Sequence, residues 1–159
     1  MKHILIALLL LTVTLQSWSQ QYKVSAQRTW DKYPPEAQER GFGLYASQLV
    51  QMDDDPQQEE VMLFSAHNGH YPYFDLFKNY YVIIDNYTKT IKYKSDIVIS
   101  TQRDILLEDR NNDGIFELYR SYFLDGKFSV DEFGNNLKTT WVYDCIEWSE
   151  SEKNIRKNK

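Results

Sequence analysis

The chain has one cysteine, Cys145, so no disulfide can close within it. Its stability must come from packing, hydrogen bonds or a bound ion. Cys145 lies in the aromatic run Trp141-Val142-Tyr143-Asp144-Cys145-Ile146-Glu147-Trp148, which predicts a buried small hydrophobe. No histidine is close to it in sequence, so a thiol nucleophile has no local base. Positive charge is also scarce: 18 Lys and Arg stand against 23 Asp and Glu, a net charge of −5. An acidic surface repels phosphate backbones, which excludes nucleic acid as a partner. G-x-S-x-G, H-E-x-x-H, P-loop and dinucleotide fingerprints are all missing. A scattered serine triad or a pair of glycosidase carboxylates stays open, although most acids fall in turns, where solvation accounts for them. No apolar run after the first is long enough to cross a bilayer.

That first run is informative. Met1-Lys2-His3 is a basic start, residues 4–11 are unbroken apolar, and Val13 and Leu15 extend them. The length suits a signal-peptide core and is too short for a span. Ser17 and Ser19 supply small residues at positions minus three and minus one, so cleavage is expected after Ser19, with an uncleaved anchor as the alternative. No cysteine marks the junction for a lipid. The expected mature chain, starting at Gln20 or Gln21, is exported to a periplasm or the exterior. Without Lys2 it carries 17 basic and 23 acidic residues, a net charge of −6.

One stretch suggests chemistry: Asp109-Arg110-Asn111-Asn112-Asp113-Gly114-Ile115-Phe116-Glu117. Oxygen-bearing side chains occupy positions one, three, five and nine, with glycine at six. A hard cation such as Ca²⁺ takes six to eight oxygens in a flexible shell. Asp109, Asn111, Asp113 and Glu117 would offer side-chain oxygens, and Ile115 its backbone carbonyl. Gly114 permits the sharp turn. The alternative is a metal-free hairpin turn, since Asn, Asp and Gly all favour tight turns. An EF-hand is excluded, because position twelve is Arg120 and the flanks read as strand.

A nine-residue D-x-N-x-D-G-x-x-E loop between strands resembles the calcium loops of FG-GAP and VCBS-type repeats, which build β-propeller blades. The resemblance is local to the loop and departs in ending on Glu117 where many such loops end on Asp. It implies a Ca²⁺-braced, blade-like sheet. Asp53-Asp54-Asp55-Pro56-Gln57-Gln58-Glu59 mirrors the layout 56 residues earlier. Asp53, Asp55, Gln57 and Glu59 are the candidates for a second, weaker metal loop. That copy lacks glycine and contains Pro56, so a solvated acidic turn is the alternative.

The remaining pattern predicts a mainly β chain. After a lead-in over 20–40, residues 34–41 suggest at most one short helix, with prolines at its start and Gly41 at its stop, or a loop. Residues 44–52, 61–64, 81–85, 90–94, 96–101, 104–108, 118–124, 127–130 and 137–148 read as strands. His67-Asn68-Gly69-His70 reads as a hairpin turn whose histidines lack a third metal ligand. Asp125-Gly126 is the strongest two-residue hairpin signal, and a further turn is expected around Gly134. Residues 149–159 read as a flexible tail. The expectation is one antiparallel domain over 41–148 with two degenerate repeats, as a sandwich or as blade-like sheets. A full propeller needs more chain.

Two functions fit this reading. One is an exported calcium-binding module that recognises a protein or glycan of the cell envelope, including, by the resemblance, inhibition of a cell-wall hydrolase. The other is an envelope hydrolase that uses calcium only as a brace. Acids and histidines gathered in one cleft would favour the second.

Overall fold

The computed structural model describes residues 33–71, 74–124, 140–149 and 151–158, with the short strand Tyr22–Lys23. The expected signal peptide, the Asp125-Gly126 hairpin, the strand over 127–130 and the turn around Gly134 lie outside these residues. The described chain is mainly β and antiparallel. Its strands are β1 (Tyr22–Lys23), β2 (Gly43–Val50), β3 (Glu59–Tyr71), β4 (Phe74–Asp85), β5 (Ile91–Lys94), β6 (Val98–Ser100), β7 (Leu106–Glu108), β8 (Glu117–Phe123), β9 (Trp141–Ser149) and β10 (Asn154–Lys157).

They form two sheets. The first runs β1-β2-β3-β4-β5, with β6 also paired to β4; the second runs β10-β9-β8-β7. The long hairpin of β3 and β4 is the middle of the first sheet. Val61, Met62, Leu63 and Phe64 are all fully buried, as are Val82, Ile83 and Ile84. A strand with no wet face must be covered on both sides, which explains the continuous apolar runs. On one side Val61, Leu63, Tyr81 and Ile83 meet Leu118, Ile146 and Ile155 of the second sheet in a shared core. On the other, Met62, Phe64, Tyr80, Val82 and Ile84 pack beneath Tyr33, Ala37 and Phe42.

A β-bulge lets β2 serve both faces. The register shifts between Leu44 and Ala46, so Leu44 pairs with Phe64 and Ala46 with Leu63. The extra residue reverses the side-chain alternation. Leu44 therefore joins the outer cluster and Ala46 the inter-sheet core.

Two expectations need correction and one is narrowed. The short helix or loop expected over 34–41 is a single 3₁₀ turn, Pro35–Ala37. Tertiary contacts replace helical bonds there: the Glu39 N–H donates to the Tyr80 hydroxyl at 2.8 Å, which itself donates to the Ala37 carbonyl at 3.1 Å. Asn68-Gly69 is no turn. β3 runs through it with a bulge between His67 and Gly69, and Gly69 takes φ +155°, which suits glycine. His67 and His70 both face Asp75 across the hairpin, at 3.6 and 2.7 Å. Lastly, the segment expected as a flexible tail contains β10. Ile155 is buried in the inter-sheet core and pairs with Trp148, enough to order a short polar strand.

Phe64 stacks on Tyr80 with ring centroids 4.9 Å apart and planes 5° from parallel, and Phe42 meets the same Tyr80 ring edge-on at 5.0 Å. Phe64→Ala should lower stability by about 3–5 kcal/mol in urea unfolding, the cost of emptying an aromatic core site. Tyr87→Ala, at a side chain 84% exposed, should change it by less than about 0.5 kcal/mol. Equal effects would contradict the buried role of the stack.

Candidate functional site

Both acidic loops are hairpin connections, one joining β2 to β3 and the other β7 to β8. They touch: the Phe116 N–H donates to the Gln51 carbonyl at 2.8 Å. Gln51 in turn braces the first loop, its amide nitrogen donating to the carbonyls of Asp53, at 2.7 Å, and Asp55.

In the 109–117 loop the oxygens turn inward onto the loop's own amides. Asp109 accepts the Asp113 N–H on Oδ1 at 3.2 Å and the Gly114 N–H on Oδ2 at 3.0 Å. Asn111 Oδ1 accepts the Asp113 N–H at 3.1 Å. Asp113 Oδ1 accepts the Ile115 N–H at 2.8 Å, while its Oδ2 accepts the Asn111 amide at 2.8 Å. Glu117 Oε2 closes the mouth by accepting the Arg110 N–H at 3.4 Å. Positive φ at Asn112 (59°) and Gly114 (88°) makes the curl possible.

The first loop gathers its acids more tightly. Among the described residues, Asp53, Asp55 and Glu59 each place one carboxylate oxygen within 4.8 Å of the others, close enough to hold a metal ion. Gln57 is exposed and contributes its backbone N–H to Asp55. Lys92 of β5 meets the same three oxygens, with Nζ 2.6 Å from Asp53, 2.8 Å from Asp55 and 2.8 Å from Glu59. Burial pulls the Lys92 pKa down, but the hydrogen bonds that the ammonium donates to these carboxylates outweigh it and hold the ammonium above the ordinary lysine value. Burial raises Glu59 despite Lys92, whereas the Lys92 hydrogen bond lowers Asp55. Sequence reading missed Lys92. Its only local sign was a polar position in an alternating strand.

A buried ion pair lies in the second sheet. Arg120 grips Asp144 in fork geometry, Nε to Oδ1 at 2.5 Å and Nη2 to Oδ2 at 2.9 Å, with side chains only 2% and 5% exposed. The Tyr122 hydroxyl and Lys157 Nζ also reach Asp144 Oδ2, at 2.9 and 2.7 Å. Burial works to raise Asp144, and Arg120 and Lys157 outweigh it, so its pKa falls below the usual 3.8.

Beside this pair is a groove of about 600 Å³, lined by residues that include Gln102, Asp104, Leu106, Arg110, Tyr119 and Tyr143. The pairings Leu106 with Tyr119, Tyr119 with Cys145 and Ser121 with Tyr143 put these side chains on the face opposite Leu118 and Ile146. Tyr143 stands 78% exposed. The Arg110 guanidinium covers the Tyr119 ring at 3.8 Å and pairs with Glu108 at 2.8 Å. Cys145 is half-buried here, outside the core that sequence reading assigned it, and burial pushes its thiol up to about 11. It stays protonated near neutral pH, unsuited to nucleophilic attack.

The depressed Asp144 pKa fixes the sign of an acid effect. The unfolded chain binds the proton first as pH drops, so the carboxylate stabilises the fold above the unfolded value near 3.8 and the contribution is lost as pH falls toward the folded one. Asp144→Asn should cost about 3–5 kcal/mol at neutral pH by leaving Arg120 buried without its counter-charge. It should also flatten the dependence of unfolding free energy on pH below about 4. Tryptophan fluorescence during urea unfolding at several pH values measures both effects.

No family model, curated protein or solved structure matches this chain.

Proposed function

We propose that this chain is an exported calcium-binding β module that recognises a protein or glycan of the cell envelope. The 109–117 loop carries this reading. Its side-chain oxygens at positions one, three and five point inward, and Gly114 sits at the turn with φ +88°. Asp109, Asn111, Asp113, the Ile115 carbonyl and Glu117 would hold the ion. This all-oxygen set suits Ca²⁺ better than a softer metal. The ion would brace a loop that no disulfide ties.

The groove supports the binding half of the proposal. Arg110 belongs to the loop and lies on Tyr119 in the groove, so ordering the loop would fix one groove wall. Tyr143 and Leu106 offer exposed apolar area beside Gln102, Asp104 and Ser121. Rings with polar tips next to amides and carboxylates suit recognition of a protein loop or a sugar. Inhibition of a cell-wall hydrolase is one form this could take. The hydrolase reading has less to stand on. Asp144 has both oxygens committed to Arg120 and is held ionised, whereas a general acid needs a raised pKa. His67 and His70 lie on the β3–β4 hairpin, outside the groove.

Calcium should raise the melting temperature followed by circular dichroism, with an affinity on the order of 10⁻⁴–10⁻³ M, and Asp113→Ala should abolish the rise. Identical curves in chelator and in millimolar calcium would refute the metal reading. Co-sedimentation with cell-envelope material should be stronger in calcium than in chelator. Tyr143→Ala, at an exposed position, should weaken that binding about tenfold or more without moving the melting temperature. Unchanged binding by this variant would remove the groove from the proposal.

A further inference from the structure

Four acids around the first loop each divide their two oxygens between different partners. Asp53 Oδ1 accepts the Asp55 N–H at 3.1 Å, and its Oδ2 lies 2.6 Å from Lys92 Nζ. Asp55 Oδ1 accepts the Gln57 N–H at 2.7 Å, and its Oδ2 is 2.8 Å from the same nitrogen. Glu59 Oε2 accepts the Met52 N–H at 2.6 Å, and its Oε1 is 2.8 Å away. Asp85 Oδ1 accepts the N–H groups of Tyr87 and Thr88 at 2.9 and 2.5 Å, and its Oδ2 is 3.8 Å away. Backbone amides thus aim four carboxylate oxygens at one point. The ammonium of Lys92, from β5, fills it.

An ammonium has three N–H donors. Three of these oxygens lie at hydrogen-bond distance from it, and the fourth interacts through charge alone. Glu59 is wholly buried, and the side chains of Asp53 and Asp85 are only 4% and 7% exposed. Carboxylates this far from water need a counter-charge.

We propose that the loop between β2 and β3 is a cation site whose resident cation is the Lys92 ammonium, which keeps divalent ions out of the native protein, and that shortening Lys92 opens the site to a hard divalent ion such as Ca²⁺. A cation tethered to the fold competes at high effective concentration, on the order of millimolar or above. It also gives up no translational freedom on binding. A free ion must first displace it. With the ammonium gone, four carboxylates face one another across a gap, and their mutual repulsion favours any cation that fits. The proposal is independent of the 109–117 loop.

The test is made in an Asp113→Ala background, so that calcium at the second loop does not contribute. Isothermal titration calorimetry with CaCl₂ should show one bound ion in Lys92→Ala/Asp113→Ala and none in Asp113→Ala alone. The double variant's melting temperature should rise with calcium, and adding Asp53→Asn should abolish both effects. A folded double variant indifferent to millimolar calcium would overturn the proposal, as would calcium uptake by the Lys92-bearing parent that Asp53→Asn removes. If Lys92→Ala folds only in calcium, the dependence itself supports the site. If it does not fold at all, the native protein decides. In reductive methylation mapped by mass spectrometry, Lys92 should react at least about tenfold more slowly than Lys153, whose side chain is 63% exposed, with or without calcium. Lys92 reacting as fast as Lys153, or released by calcium, overturns the proposal.

Discussion

Repulsion between carboxylates is the constraint that shapes this end of the molecule. Two unit charges within 4.8 Å repel by at least about 3 kcal/mol at an effective dielectric of 20, and Asp53, Asp55 and Glu59 present three such pairs. A fold with no disulfide has little to spare for that cost. The chain spreads the load over backbone amides and one ammonium: an N–H bond orients each acid, and Lys92 neutralises part of the sum. Lys92 lies on β5, which among the described strands pairs with β4 alone. The ion cluster therefore ties the outer strand of the sheet to the β2–β3 connection, two strands away.

Asp144 follows the same rule under the second sheet. Here the counter-ion is a guanidinium in fork geometry, with Lys157 of β10 as a second cation. The two buried clusters lie on different sheets and use different chemistry. Arginine suits the bidentate pair because its planar fork matches a carboxylate, whereas lysine suits the converging oxygens because its three donors can point to three acids. In both, a cation distant in sequence completes a charge that its own strand could not bury.

The pattern of the strands was legible because burial on two faces leaves a local trace. Val61-Met62-Leu63-Phe64 and Tyr81-Val82-Ile83-Ile84 contain no polar residue that could face water, and both became central strands. Asn68-Gly69 misled because the dipeptide fits a turn and a bulge alike, and only the pairing across to Leu76 and Phe77 decides. β10 left almost no trace, since one buried residue, Ile155, anchors it. At the candidate site, the spacing of Asp109, Asn111 and Asp113 was visible because it lies within one loop. Lys92, 33 residues beyond Glu59, was not, because register alone brings it there.

The two acidic loops meet through Gln51 and Phe116, yet they solve one problem in opposite ways. The first holds Pro56 and no glycine, and a lysine from a neighbouring strand reaches in over it. The second holds Gly114 and turns its oxygens onto its own amides, and the Arg110 guanidinium lies over Tyr119. In the first loop an ammonium lies among the acids. Where the neighbouring cation goes, rather than how many acids each loop contains, distinguishes the two.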